Sequence, residues 1–324
     1  MESQGRPRLG WIGLGNMGLA MSMNLQKKLA KEGETPLSYT NRTMSRGTPL
    51  EALGGKPYDS IGGVVKNSDI IFISISDDKV LESISAEIIA SGSIGGKIVV
   101  DTSTVHPDTS VAVSIDISNA GARFIASPVF GATPVAEKGQ LLFAMAGPRD
   151  AVETITPYVR GTLARAVIPL GESVVNAGTL KTIGNFITAG MAELISEAHV
   201  LAEKTGLGAG VLESLIEENY GTYAYSISSR ITSGAYAPPE GQKPMSDLNL
   251  AIKDVGHGIT CGQNVGVKLE VAEVALNHLR EAKKFSESQS DRPLDSSSMY
   301  GILRQNAGLD FESDIVKGRS ADTK

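Results

Sequence analysis

The sequence predicts an α/β fold: an N-terminal doubly wound parallel sheet followed by an all-α domain, the two joined by a long helix. Three observations carry this. Over the first 170 residues short β-branched runs alternate with helix-length segments, the pattern of parallel strands and crossover helices. A glycine cluster closes the first of those runs. From about Asn176 the β-branched runs give way to long segments containing Ala, Leu, Met and Glu.

In chain order the strand-like runs are Leu9 to Ile12, Leu37 to Thr40, Ile70 to Ile75, Lys97 to Val100, Phe124 to Ala126, Leu142 to Ala146 and Ala166 to Leu170. Between them Met17 to Ala30, Ile61 to Asn67, Asp78 to Ile89 and Pro107 to Asn119 carry helix-compatible patterns, and Pro107 suits a first-turn position. Thr179 to Thr205 contains no proline and stops at Gly206, so it reads as one long helix. Val211 to Glu218, Ser246 to Cys261 and Lys268 to Lys284 read as further helices. The expected domains are residues 1–170 for the sheet and 171–324 for the helices. Ser286 to Ser298, rich in Ser and Asp, is expected to be a loose surface segment, and Ala321 to Lys324 a frayed terminus.

Composition narrows the function. With 324 residues, 30 Lys+Arg against 36 Asp+Glu and a net charge of −6, the chain has no basic field for a nucleic acid or an anionic membrane surface. A small-molecule substrate is the expected partner. The single cysteine, Cys261, permits neither an intrachain disulfide nor a thiolate zinc site, which fits a reducing compartment, with the cytoplasm expected. No segment combines the roughly 18 to 20 residues and the apolarity that a membrane span requires, and Met1 to Arg8 has no apolar signal core.

Four segments carry chemistry. Gly13-Leu14-Gly15-Asn16-Met17-Gly18 has the G-x-G-x-x-G spacing between a strand and a helix, where glycines make a tight turn, let the backbone approach a pyrophosphate and let the helix pack closely. The expected site is a Rossmann-type dinucleotide site; glycines that only make a turn are the alternative. An NAD site places an acid about 20 residues on; here the second strand ends in Asn41-Arg42-Thr43, and a cation without an acid suits the 2′-phosphate of NADP. The alternative is a solvated surface arginine. Ser103 and Thr104, after the run Lys97 to Val100, either donate to a ligand or cap the helix that starts at Pro107. Ser127 to Leu141 is a Gly/Pro-rich loop whose backbone N–H groups can receive a carboxylate, and Lys181 and Asn185 lie four apart on the long helix, on one face. A helix-borne lysine in a partly dry cleft can serve as general acid/base, with the asparagine orienting a hydroxyl; a solvated surface lysine is the alternative. His106, His199, His257 and His278 show no metal spacing, and His257 with Cys261 supplies only two ligands, so no metal is expected. No nucleophile elbow and no Walker loop is present.

Together these residues resemble the β-hydroxyacid dehydrogenase family, in order and spacing from Leu9 to about Asn277. The resemblance implies NADP(H) as cofactor, with NAD second, held by Gly13 to Gly18, Asn41 to Thr43, Ile75, Ser76, Thr104 and Lys253 of the pair Lys253-Asp254. It implies Lys181 as acid/base and Ser103, Phe130, Gly131, Ala132 and Asn185 as substrate contacts, in a cleft between the domains of a homodimer or homotetramer built through the helical domain. The expected reaction is hydride transfer between NADP(H) and a small hydroxy acid or aldehyde/keto acid. Departures from the family pattern touch the substrate: Phe130 stands for the usual serine, Ser246 for a phenylalanine, and Gly184 for the first asparagine of K-x-x-N-N. They leave an imine or bulky-carbonyl reductase as a second expectation and a non-catalytic cofactor-binding protein as a third, with Lys181 speaking against both.

Overall fold

The computed structural model describes residues 6–321. They divide into two compact units, the first ending at Lys181 and the second beginning at Thr182.

The first unit is built on strands whose side chains alternate between two buried faces. Its elements are β1 (Leu9–Ile12), α1 (Asn16–Glu32), β2 (Ser38–Thr40), a 3₁₀ turn (Met44–Gly47), α2 (Thr48–Ala52), β3 (Lys56–Pro57), α3 (Ile61–Lys66), β4 (Ile70–Ile73), α4 (Asp78–Ala90), β5 (Ile98–Asp101), α5 (Pro107–Asn119) and β6 (Arg123–Ala126). Leu9, Trp11, Ile70, Phe72, Ile98, Val100 and Ile125 point into one apolar cluster, while Ile12, Ile71, Ile73, Val99 and Phe124 point into the other. Strands buried on both faces need helices on both faces, which is why these runs read as nearly continuous apolar sequence. Trp11 stacks on Phe72 at 5.2 Å across neighbouring strands.

Among the described residues, six strands form one parallel sheet in the order β3-β2-β1-β4-β5-β6. The order reverses between β1 and β4, so the loops at the C-terminal ends of those two strands flank the crevice where such sheets take ligands. β3 escapes a sequence reading because it has two residues, one of them Pro57, which an edge strand tolerates.

The remaining elements of this unit are β7 (Val129–Phe130), α6 (Thr133–Glu137), β8 (Leu141–Met145), α7 (Arg149–Val159) and β9 (Ala164–Pro169). Here the structure corrects the expectation of one sheet. β7, β8 and β9 form a separate three-stranded sheet in which β7 runs antiparallel to β8. An apolar run specifies a strand but not its partner, and Ser127-Pro128 turns the chain back so that Val129 and Phe130 pair with Phe143 and Leu142.

The long helix, α8 (Val175–Thr205), starts ahead of Thr179. The division into units falls after Lys181 and not at Leu170, because the start of this segment packs with the sheet: Val174 and Ala177 join a first-unit cluster, and a Cβ added at Gly178 would meet Pro107 Cα at 3.0 Å.

The second unit continues with α9 (Ala209–Thr232), α10 (Leu248–Asn264), α11 (Glu270–Ser288), α12 (Met299–Asn306) and α13 (Asp314–Ala321) around one apolar cluster. α9 is broken at Gly221, whose φ of 80° and ψ of 177° leave the helical region. Asp247 caps α10, accepting from Asn249 N at 2.8 Å. The buried Tyr236 hydroxyl donates to Phe311 O at 2.9 Å and accepts from Ser313 N at 2.8 Å, which ties the segment leading into α13 to this core.

The expected loose segment Ser286 to Ser298 is a second correction. α11 runs to Ser288, and Leu294, Asp295, Ser297 and Ser298 are buried. Asp295 is paired with Arg230 and accepts from Ser246 N at 3.0 Å, Ser297 N at 3.0 Å and Ser297 Oγ at 2.6 Å. Polar composition there marks a buried hydrogen-bond knot around Asp295, not a solvated loop. Of the terminus expected to fray, residues 322–324 lie outside the described residues. Among the described residues no helix is long and apolar enough to cross a membrane.

Candidate functional site

β1 ends in a turn whose three glycines face different surroundings. Gly13 has φ +95°, and an added Cβ would sit 2.2 Å from Ser74 O, so the turn is pressed against the end of β4. At Gly18 an added Cβ would sit 2.2 Å from Gly13 O, which sets how closely α1 approaches β1. At Gly15 it would meet nothing within 4 Å. Gly15 is the N-cap of α1; no side chain caps the helix and its first turn has no acid. Uncapped N–H groups behind an open glycine form an anion cradle, so the residues present fit a dinucleotide pyrophosphate.

The end of β2 is tied to this turn. Gly13 N donates to Thr40 O at 3.1 Å, Leu14 N to Asn41 Oδ1 at 2.8 Å, and Asn41 Nδ2 to Thr43 O at 2.8 Å. Arg42 and Thr43 are exposed. Sequence reasoning missed Arg46, which lies in the 3₁₀ turn and donates through Nη2 to Asn16 Oδ1 at 3.0 Å. The signal was present: residues 35–50 contain Arg42 and Arg46 and no acid.

The loops after β4 and β5 are also joined. Ser103 Oγ accepts from Ile75 N at 2.9 Å, Ser103 N donates to Asp101 Oδ1 at 3.0 Å, and Thr102 Oγ1 donates to Ile73 O at 2.7 Å. Ser76 donates to Asp77, the N-cap of α4, at 2.7 Å, and Ile75 Cγ2 lies beside Gly13. The N-cap of α5 is His106, so neither Ser103 nor half-buried Thr104 holds that position.

Phe130 ends β7, Gly131 and Ala132 follow it, and Ala132 is the N-cap of the short α6. Leu141 and Val135 close against Gly131, where an added Cβ would meet Leu141 Cδ2 at 2.7 Å. Thr133 Oγ1 reaches Met17 Sδ at 3.8 Å and Asn24 Nδ2 donates to Ala136 O at 2.8 Å, so this loop is fastened to the glycine-turn helix. Lys181 reaches the same loop. Its Nζ donates to Val129 O at 2.7 Å and lies 4.6 Å from the centre of the Phe130 ring.

The first unit thus brings Lys181 together with Phe130, and Asn41 and Arg46 with the glycine turn. The second unit brings Asn185 together with the pair Lys253-Asp254: Asn185 Nδ2 donates to Asp254 Oδ2 at 3.0 Å, and Lys253 Nζ lies 3.2 Å from Asp254 Oδ1. Asp254 therefore accounts for one polar end of Asn185. Both charged side chains are largely buried inside α10 and offset each other's desolvation. Gly184 is half-buried, and Ser246 is committed through its backbone to Asp295. Among the described residues, no group of three or more His, Cys, Asp or Glu is placed to hold a metal.

Residues 8–171 match the family described as the NAD binding domain of 6-phosphogluconate dehydrogenase. Residues 176–303 match that described as NAD-binding of NADP-dependent 3-hydroxyisobutyrate dehydrogenase. The NADH-dependent oxidoreductase ucdB of Aspergillus ustus is 29% identical over 303 residues, covering 92% of this chain and 99% of its own. Glyoxylate/succinic semialdehyde reductase 2 of Arabidopsis thaliana is 29% identical over 303 residues, covering 90% of this chain and 78% of its own. The solved structure of Mycobacterium tuberculosis 3-hydroxyisobutyrate dehydrogenase with L-serine has a TM-score of 0.76 at 22% identity over 92% of this chain and 99% of that one, a likeness of fold. Sheet order, glycine turn and these matches define an NAD(P)-dependent oxidoreductase. The chain belongs to the β-hydroxyacid dehydrogenase family.

Proposed function

We propose that the protein is an NADPH-dependent reductase of a small aldehyde- or keto-acid, with Lys181 as the proton donor. The observation that carries this is the placement of Lys181 Nζ on Val129 O, in the loop whose backbone is assigned to the substrate. NADPH, when bound, supplies a hydride from C4 of its nicotinamide. Lys181 gives a proton to the carbonyl oxygen that becomes the hydroxyl, and the backbone N–H groups of Gly131 and Ala132 receive the carboxylate. Ser103 and Asn185 complete the substrate set, Asn185 with its amide turned by Asp254. The uncapped turn at Gly13 to Gly18 takes the pyrophosphate; Ile75, Ser76, Thr104 and Lys253 are assigned to the rest of the cofactor. Arg42 and Arg46 are assigned to the 2′-phosphate, supported by the acid-free stretch they occupy and by the bond from Arg46 to Asn16. Within this reading residues 1–170 carry most of the cofactor contacts and the substrate loop, and residues 171–324 contribute Lys181, Asn185 and Lys253 and serve self-association. A homodimer or homotetramer is proposed on the exposed apolar residues Ile187, Leu194 and Leu201 of α8, and the cytoplasm on the single cysteine.

A steady-state scan of semialdehydes, keto acids, hydroxy acids and cyclic imines with both cofactors tests the reading. The expected result is turnover of an aldehyde- or keto-acid, with NADPH bound at least about 10-fold tighter than NADH. R42A with R46A removes most of that gap. K181A loses about 10²- to 10⁴-fold in kcat and keeps its NADPH affinity. Equal affinity for the two cofactors or preference for NADH, as the name of the Aspergillus relative indicates for that enzyme, overturns the cofactor assignment. Turnover confined to imines overturns the substrate class.

A further inference from the structure

We propose that Phe130 is a positioning residue for Lys181, its ring face holding the ammonium group in the place from which the proton is given. This rests on Lys181 as the proton donor and identifies what sets that donor in this chain. Val129 and Phe130 are consecutive residues of β7 and hold Lys181 in two ways: the carbonyl oxygen of Val129 accepts from Nζ at 2.7 Å, and the ring centre of Phe130 lies 4.6 Å from Nζ. A ring face within about 6 Å attracts an ammonium through its quadrupole, and a neutral amine forfeits that attraction.

The backbone that carries the ring is anchored. Val129 and Phe130 pair with Phe143 and Leu142, Ala144 N donates to Pro128 O at 3.0 Å, and Leu141 closes against Gly131. A lysine stem has many rotamers, so a fixed carbonyl and a fixed ring together select one region for Nζ ahead of substrate binding. A serine here, as in the pattern that the chain otherwise resembles, has no such face. In the reductive direction the carbonyl carbon takes the hydride, the oxygen takes the proton from Nζ, and Lys181 is left as a neutral amine that regains a proton from water. Phe130 holds Nζ in one place at the start of each turnover.

The test compares kcat for reduction in F130L, in F130Y and in protein carrying fluorinated phenylalanines at position 130. Leucine keeps apolar bulk without a ring face, so F130L loses about 2- to 30-fold in kcat while KM for the cofactor holds. F130Y keeps the face and loses less in kcat than F130L. Successive ring fluorination drains the face of negative charge with little change of shape and lowers kcat stepwise. A flat fluorination series, or F130L equal to wild type, overturns the positioning role. K181A, assayed alongside, separates the two claims: if it keeps its turnover, the proton-donor assignment falls and takes this role with it, whereas an inactive K181A beside a flat Phe130 series removes the positioning role alone.

Discussion

A methyl group added at Gly18 meets the carbonyl oxygen of Gly13 at 2.2 Å, whereas one added at Gly15 meets nothing within 4 Å. The two glycines of one motif therefore answer to different demands, close helix packing at Gly18 and, in the proposed site, ligand approach at Gly15. G18A is expected to lose about 1 to 3 kcal/mol of stability through a backbone shift. G15A is expected to lose under about 1 kcal/mol, the difference at an N-cap, yet to bind the dinucleotide at least about 10-fold more weakly. Thermal unfolding and fluorescence titration of both variants check this; equal unfolding temperatures, or unchanged binding in G15A, contradict it. At this scale the sequence reveals what short-range spacing encodes, such as the glycine turn and the acid-free stretch after β2. It does not reveal Arg46 on Asn16 or Phe130 on Lys181, because those contacts depend on a 3₁₀ turn and on an antiparallel strand of two residues.

Helix α8 carries His199, buried, with Nε2 2.7 Å from Ser228 Oγ of α9. Burial pushes its pKa below the ordinary histidine value, against an opposing pull from Glu213. The folded chain thus holds this proton less readily than the unfolded chain, so unfolding takes up a proton as the pH falls below the unfolded value of about 6.5. The neutral form contributes its full stability above that pH and loses it as the pH falls toward the folded value. Urea unfolding at pH 7.5 and 5.5 is expected to show a smaller loss on acidification in H199Q than in wild type; parallel losses count against it. The elements were legible where periodicity is long: α1, α4, α5 and α8 emerge within a few residues of their expected bounds. The segment after α11 was not, since Ser and Asp look alike in a solvated loop and in a knot around a fully buried Asp295.

For the whole molecule, surface apolarity bears on association. Ile187, Leu194 and Leu201 recur every seven residues along α8 and are 48%, 66% and 65% exposed, which puts them on one stripe of the helix. Sedimentation is expected to give a dimer or tetramer for the wild type and a monomer for L194E combined with L201E. A monomeric wild type, or an unaltered mass in the variant, ends that proposal. The division into a sheet unit and a helical unit was legible from composition, whereas the second sheet was not, because strand partners are set by turns such as Ser127-Pro128 and not by apolar runs. The break at Gly221 bears on helix register. An insertion or deletion ahead of it rotates only the first half of α9, by about 100° per residue, and leaves Ile227, Ser228 and Ile231 facing the core. The helical unit thus carries a seam that separates the register of the first half of α9 from the residues packed beyond it.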